Sequence, residues 1–137
     1  MTMTRIAPRL CSISPIVPVT DLARSIAFFT DVLGFTLGFR ADNHAYLSRD
    51  AIAIRLVGAA PGTDLSDPRR QQACYIDVEG IDALYASMRT ALDKLPPGRV
   101  RAPFDQDYGM REFHVIDEDA LLIFFGEPVG CDEGSTS

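Results

Sequence analysis

Tryptophan is absent from the 137 residues, and histidine and cysteine are scarce, with two and three copies. Cys11, Cys74 and Cys131 are odd in number and show no C-x-x-C spacing, so neither a disulfide framework nor a zinc knuckle is indicated. They read as reduced thiols of a cytoplasmic protein. No apolar run approaches the roughly 18 residues of a membrane span. The longest, Ala120 to Gly126, is strand-sized, and Met1 to Ser12 carries Arg5 and Arg9 without an apolar stretch of signal-peptide length. Basic residues are outnumbered, 13 Lys and Arg against 19 Asp and Glu, for a net charge of −6. That balance argues against nucleic acid as the partner and favours a cationic ligand, although mild acidity also serves plain solubility. No Gly-x-Gly-x-x-Gly, P-loop or Gly-x-Ser-x-Gly motif occurs, so nucleotide and acyl-transfer chemistry have no signature.

What is present is an internal repeat. From Leu22, apolar residues recur with helical spacing at Ile26, Phe29, Val32 and Leu33, interrupted by Ser25. From Ile81, 59 positions later, the same steps give Leu84, Tyr85, Met88, Ala91 and Leu92. Each stripe marks an amphipathic helix. Each helix follows a β-branched run, Ile13 to Val19 and then Tyr75 to Val78. Asp21 is placed to cap the first helix and Gly34 to end it in a left-handed turn. Three extended stretches follow, Thr36 to Arg40, Ala45 to Ser48 and Ala51 to Val57, separated by turn formers. In the second copy Pro96-Pro97-Gly98 stops the helix before strands near Arg99 to Ala102, Arg111 to Ile116 and Leu121 to Phe125. Both copies read βαβββ, in an α+β fold. The expected organisation is an N-terminal arm 1–12, a single domain 13–130 holding modules 13–58 and 72–127 joined by a linker 59–71, and a flexible tail 131–137.

Paired βαβββ modules resemble the vicinal-oxygen-chelate superfamily, which includes glyoxalase I, extradiol dioxygenases and bleomycin-resistance proteins. The stretches Pro18-Val19-Thr20-Asp21-Leu22 and Ala27-Phe28-Phe29-Thr30-Asp31-Val32-Leu33-Gly34-Phe35 look like its opening signature. Tyr108-Gly109-Met110-Arg111-Glu112-Phe113 and Gly80-Ile81-Asp82-Ala83-Leu84-Tyr85 are similar to bleomycin-resistance proteins in particular. The resemblance runs from about Pro15 to Glu127 and implies curved mixed sheets. In the family's metal-dependent members, a His, Gln or Glu on the first strand of each module and a Glu on the last strand hold a divalent ion. Those positions fall here at Ser14, Ala73 and Phe124, which cannot form such a site. The reading therefore carries no metal, no cofactor and no catalytic residue, and it leans away from an enzyme. His44 and His114 lie elsewhere, and Asp117-Glu118-Asp119 reads as a hairpin turn, since it lacks the glycine and distal Glu of a calcium loop.

The resemblance implies a homodimer that sequesters a cationic, partly aromatic drug in clefts at the subunit interface. It also implies that the N-terminal arm is exchanged between subunits at Pro15. Phe39 and His44 match cleft-lining aromatic positions, Tyr108 with Gly109 matches the stacking aromatic (usually Trp), and Tyr75 matches another aromatic on the second module's first strand. Asp42 and Asp107 could attract a cation, and so could Asp105, although each is a good turn former. Phe39 and Tyr75 could equally be core residues, and His114 an ordinary hydrogen-bonded one. Phe104 and Tyr46 are weaker candidates, while Arg111 and Glu112 read as a fold signature on opposite faces of one strand. The alternatives are a metal-dependent glyoxalase or dioxygenase type of enzyme, and a binding module for an unknown metabolite.

Overall fold

The computed structural model describes residues 7–67 and 71–130. The tail expected at 131–137, Cys131 and parts of the arm and linker lie outside the described residues. The first module runs β1 (Ile16–Val19), α1 (Leu22–Ala27), β2 (Thr36–Ala41), β3 (His44–Arg49) and β4 (Ile52–Gly58). The second runs β5 (Ala73–Asp77), α2 (Ile81–Leu92), β6 (Val100–Asp105), β7 (Met110–Ile116) and β8 (Leu122–Pro128). Each module is one four-stranded sheet, in the orders β1-β4-β3-β2 and β5-β8-β7-β6. In both, the first strand pairs parallel to the last and the other neighbours are antiparallel, so the repeat seen in the sequence is a repeat of topology.

The helices show how sequence becomes local structure. Asp21 caps α1, its carboxylate accepting the Arg24 N–H at 3.0 Å, as expected of an N-cap. The stripe predicts one helix from Leu22 to Leu33, but α1 stops at Ala27 and continues as a π-helical turn over Phe28–Val32. Within it the Thr30 hydroxyl donates to the Ile26 carbonyl at 3.0 Å. The turn holds both Phe28 and Phe29 in the core. Gly34 then takes the left-handed backbone expected of it. In α2 the exposed N–H groups of the first turn are satisfied from outside, because Glu127 on β8 accepts from Gly80 N at 3.0 Å and Ile81 N at 2.9 Å.

Alternation along the strands sorts residues onto two faces. Ala45, Leu47, Ile54 and Leu56 of the first sheet and Phe113, Val115, Ile123 and Phe125 of the second join residues of both helices in one buried cluster. Phe113 stacks on Phe125 at 4.5 Å, and Tyr85 meets Phe113 edge to face. The two modules therefore share a core through the helix-bearing faces of their sheets. Their other faces lie on the outside of that core. Thr20 adds a polar link between modules, donating its N–H and hydroxyl to Asp119 in the β7–β8 turn at 3.1 and 2.7 Å.

The first strand is shorter than the β-branched run predicted. It begins at Ile16, because Pro15 has no N–H to give to the ladder, although its carbonyl accepts from Arg55 N at 3.0 Å. Ahead of it the chain from Ala7 to Ser14 belongs to no helix or strand, and Leu10 and Ile13 stand fully in solvent.

Candidate functional site

The outer face of the second sheet is built from residues that the ladder places side by side. Tyr75 on β5 faces Phe124 on β8, Phe124 faces His114 on β7, and His114 faces Arg101 on β6. Their rings form a continuous row. Tyr75 stacks on Phe124 with centroids 5.6 Å apart, Phe124 meets His114 at 4.4 Å, and His114 meets Phe104 at 5.2 Å. The Arg101 guanidinium closes the row 3.5 Å above the Phe104 ring. Such edge-to-face and offset contacts are those that aromatic quadrupoles favour.

Beside the row sits Glu112, which is 0% exposed although it lies on the outer face. One oxygen, Oε1, accepts from Gln106 Nε2 at 3.0 Å and from His114 Nε2 at 2.8 Å. The other, Oε2, accepts from the Tyr75 and Tyr108 hydroxyls at 2.8 and 2.7 Å. An ionised carboxylate only accepts, so all four partners are donors and His114 carries its proton on Nε2 in this arrangement. Desolvation alone would raise the carboxyl pKa. The four hydrogen bonds outweigh it and bring the group down from the ordinary 4.5 to about 2. Tyr75 is pushed well above its usual range by desolvation and by the Glu112 hydrogen bond and charge. Tyr108 is raised first by its hydrogen bond to Glu112. Both phenols therefore stay protonated at neutral pH.

Gly126 makes the closure possible. A Cβ at that position would lie 1.9 Å from the Tyr75 hydroxyl oxygen, so the phenol crosses the sheet only where β8 has no side chain. On the other side, Gln106 and Tyr108 reach Glu112 from the turn between β6 and β7.

Of the ligand residues expected from the sequence, Tyr75, Tyr108 and Gly109 come together around Glu112, and Asp107 is exposed in the same turn. Phe39 and His44 meet on the other sheet, edge to face at 6.0 Å, with Asp42 in the hairpin turn between them. Tyr46 lies on that face too, beneath the Arg55 guanidinium at 4.7 Å. The two groups occupy separate outer faces of the shared core, and one chain does not bring them together. Asp105, the third acidic candidate, lies at the end of β6, where its carboxylate accepts from the Arg111 guanidinium at 2.9 Å. Glu112 and Arg111 do point to opposite faces, but Glu112 is the hub of the site and more than a fold signature. Phe124 and His114 were likewise not predicted as part of it. The signal for all three was the strand alternation, which sets residues 112 and 114 on one face of β7 and residue 124 across from it. Ser14 lies ahead of β1, whereas Ala73 and Phe124 lie on the outer face of the second sheet. Among the described residues, no three His, Cys, Asp or Glu side chains gather as a metal-binding group. An apolar groove between the modules, lined by Phe35, Ile52, Ile76, Val78, Leu84 and Phe125, holds none of the predicted ligand residues.

Paired βαβββ sheets that share one core, the second with an aromatic, acid-centred outer face, define a paired-module α+β fold. The Glyoxalase/Bleomycin resistance protein/Dioxygenase superfamily matches residues 10–125, and the chain belongs to that superfamily. It is 34% identical to bleomycin resistance proteins of Geobacillus stearothermophilus and Staphylococcus aureus over 128 residues, 84% of this chain and 95% of theirs. Among solved structures it resembles a bleomycin-binding protein complexed with bleomycin, with a TM-score of 0.71 and 21% identity over 86% of this chain and 98% of that one. It also resembles the bleomycin-binding protein of Streptomyces verticillus complexed with copper(II)-bleomycin, with a TM-score of 0.70 and 21% identity over 90% and 99%. These structural likenesses bear on the fold.

Proposed function

We propose that this protein binds and sequesters a flat, cationic, partly aromatic compound of the bleomycin type, without transforming it. The observation that carries this reading is the outer face of the second module, where a row of rings lies beside a buried, ionised carboxylate. Ring faces attract cations and flat heteroaromatics, and the negative charge behind them strengthens that preference. The 34% identity to bleomycin resistance proteins supports the choice of ligand. With tyrosine at position 108 and no tryptophan, the stacking surface is smaller than the family's usual one.

The binding unit in this reading is a homodimer. Phe39, Asp42 and His44 sit on one outer face and Tyr75, Asp107, Tyr108 and Gly109 on the other, so a cleft lined by both sets needs a second copy. The exposed apolar arm ending at Pro15, with Leu10 and Ile13 in solvent, fits an exchange of that arm between subunits. The protein works as a cytoplasmic trap, with no metal or cofactor. No described helix is long and apolar enough to cross a membrane.

Titration calorimetry with bleomycin tests the reading. One drug per chain is expected, and Tyr108→Ala should weaken binding by about threefold to thirtyfold, as loss of about 0.5 to 2 kcal/mol of stacking implies. Absence of heat up to about a millimolar drug, a binding energy below about 4 kcal/mol, would reject it. Light scattering giving the 15.0 kDa monomer mass would reject the dimer, and about one divalent ion per chain by metal analysis would reject the metal-free trap.

A further inference from the structure

Tyr108 poses a physical problem. Its side chain is 63% exposed, and among the described residues its ring makes no aromatic contact. A solvent-facing phenol on a turn would ordinarily sample several rotamers, and ordering a side chain on binding costs free energy. The contact that fixes it is at its tip, where the hydroxyl donates to Glu112 at 2.7 Å. Tyr75 is also 41% exposed and spans β8 to reach the same oxygen. Gln106 brings the other end of the turn to the second oxygen, and His114 is held there as well. One carboxylate thus anchors two exposed rings, one half-buried ring and the turn that carries Tyr108.

We propose that Glu112 is the positioning residue of the ligand face: saturated by four donors and shut away from solvent, it holds the Tyr75 and Tyr108 rings in fixed planes before the ligand arrives. This inference rests on the sequestration reading for the identity of the ligand, and it deepens that reading by assigning what fixes the rings. The carboxylate does not meet the ligand directly, because every acceptor position is already used. Its contribution is preorganisation, which raises affinity by lowering the entropy lost when the rings are pinned. The tyrosine hydroxyls are then functional groups, although they point away from any stacked ligand. A ring that worked by its face alone would act as well without them.

That distinction supplies the test. Bleomycin is titrated into the native protein, Tyr108→Phe, Glu112→Gln, Tyr75→Phe/Tyr108→Phe, and the same pair combined with Glu112→Gln. Tyr108→Phe keeps the ring and is expected to lose about threefold to tenfold in affinity, the cost of ordering one freed side chain on binding. Glu112→Gln is expected to lose about tenfold or more alone but less than about twofold in the Tyr75→Phe/Tyr108→Phe background, since there the hydroxyls it holds are gone. Wild-type affinity in Tyr108→Phe, or an equal loss from Glu112→Gln in both backgrounds, would overturn the proposal. Near-UV circular dichroism and spectrophotometric tyrosine titration of the free proteins give a readout that needs no ligand. Glu112→Gln should flatten the tyrosine bands and lower the raised titration of Tyr75 and Tyr108, with the larger relative return at Tyr108, because desolvation, the first cause at Tyr75, stays in place. Unchanged spectra and titration would overturn the proposal even if bleomycin proves not to bind, which separates its failure from failure of the sequestration reading. Should Glu112→Gln not fold, Tyr75→Phe and Tyr108→Phe carry both measurements alone.

Discussion

On the outer face of the first module, Phe39 and His44 meet at 6.0 Å and Arg55 covers Tyr46 at 4.7 Å, while Phe39 remains 53% exposed. The same face of the second module carries four rings in contact, three of them in register, and a carboxylate with no exposure, tied by four hydrogen bonds. Strand order, parallel closing pair and core alternation are alike in the two. Repetition therefore fixes the inward positions, which must fill one core, and leaves the outward positions open to different uses. One face is held together by its own side chains and the other offers loosely held rings. A cleft made from one of each would pair a rigid wall with an adaptable one.

The sharpest way to break the comparison is to attack what the modules share. Phe113→Ala in the second and Leu47→Ala in the first each remove a side chain with no exposure from the common core. Phe113→Ala should cost about 3–5 kcal/mol and Leu47→Ala about 2–5 kcal/mol, and urea unfolding followed in the far and near ultraviolet should stay a single coincident transition in both variants. Two separated transitions would show that the modules hold separate cores.

Next in size is the effect of acid on the second face. The Glu112 carboxyl is depressed in the fold, so its contribution is fully present above its unfolded pKa near 4.5 and is lost as pH falls toward about 2. A depression of that size corresponds to about 3 kcal/mol by linkage. Asp117 acts in the opposite direction. Burial raises its pKa, so its ionised form penalises the fold and acid relieves that penalty. The difference between native protein and Glu112→Gln across this range isolates the first term. Native protein should lose stability relative to the variant as pH falls, and parallel profiles would mean the carboxylate is not held as described.

Two glycines permit a like-for-like test of smaller size. A Cβ at Gly126 would meet the Tyr75 hydroxyl oxygen at 1.9 Å, and one at Gly58 would meet the Asn43 Oδ1 at 2.1 Å. In both the obstacle is the end of a side chain that can swing away. What is lost differs: Tyr75 gives up a hydrogen bond to a charge, whereas Asn43 gives up one to the Gly58 carbonyl. Gly126→Ala should therefore cost about 1.5–3 kcal/mol and Gly58→Ala about 0.5–1.5 kcal/mol, measured by urea midpoints. Equal losses would deny the second face its special anchoring.

Much of this architecture was legible in the sequence because it follows from periodicity. The stripes from Leu22 and Ile81 and the alternating runs gave eight strands and two helices in the observed order. The π-helical turn at Phe28–Val32 was not legible, since the apolar stripe from Leu22 to Leu33 fits an unbroken α-helix and carries no mark of a wider turn. The site divided in the same way. Tyr75 and Tyr108 follow from the resemblance, whereas Glu112 reads in the sequence only as a fold signature, since a carboxylate on an outward strand position is ordinarily solvated. Its burial depends on a phenol crossing Gly126 and on a turn folding back, contacts between residues 37 and 4 positions away that no local pattern encodes. In the sequence Phe124 reads only as a vacated metal position. Its role as the middle of the ring row appears once the strands are paired.

The smallest expected effects concern the two arginines that lie on rings, Arg101 at 3.5 Å from the Phe104 centroid and Arg55 at 4.7 Å from that of Tyr46. Neither forms an ion pair among the described residues, so their attachment is to the ring quadrupole and to the apolar stems beneath them. Replacing each with glutamine should lower stability by about 0.5–1 kcal/mol, Arg101→Gln at the upper end because its guanidinium is nearer the ring. Ionic strength separates this from a surface ion pair such as Arg89 with Asp93, where N and O are 3.1 Å apart on side chains that are mostly exposed. Screening at high salt should erase most of the small effect of Asp93→Asn and leave more of the arginine effects in place. Thermal melts at low and high salt measure all three. If the loss from Arg101→Gln also vanished with salt, its stabilisation would come from distant charges, and the ring row would end at Phe104 without the guanidinium.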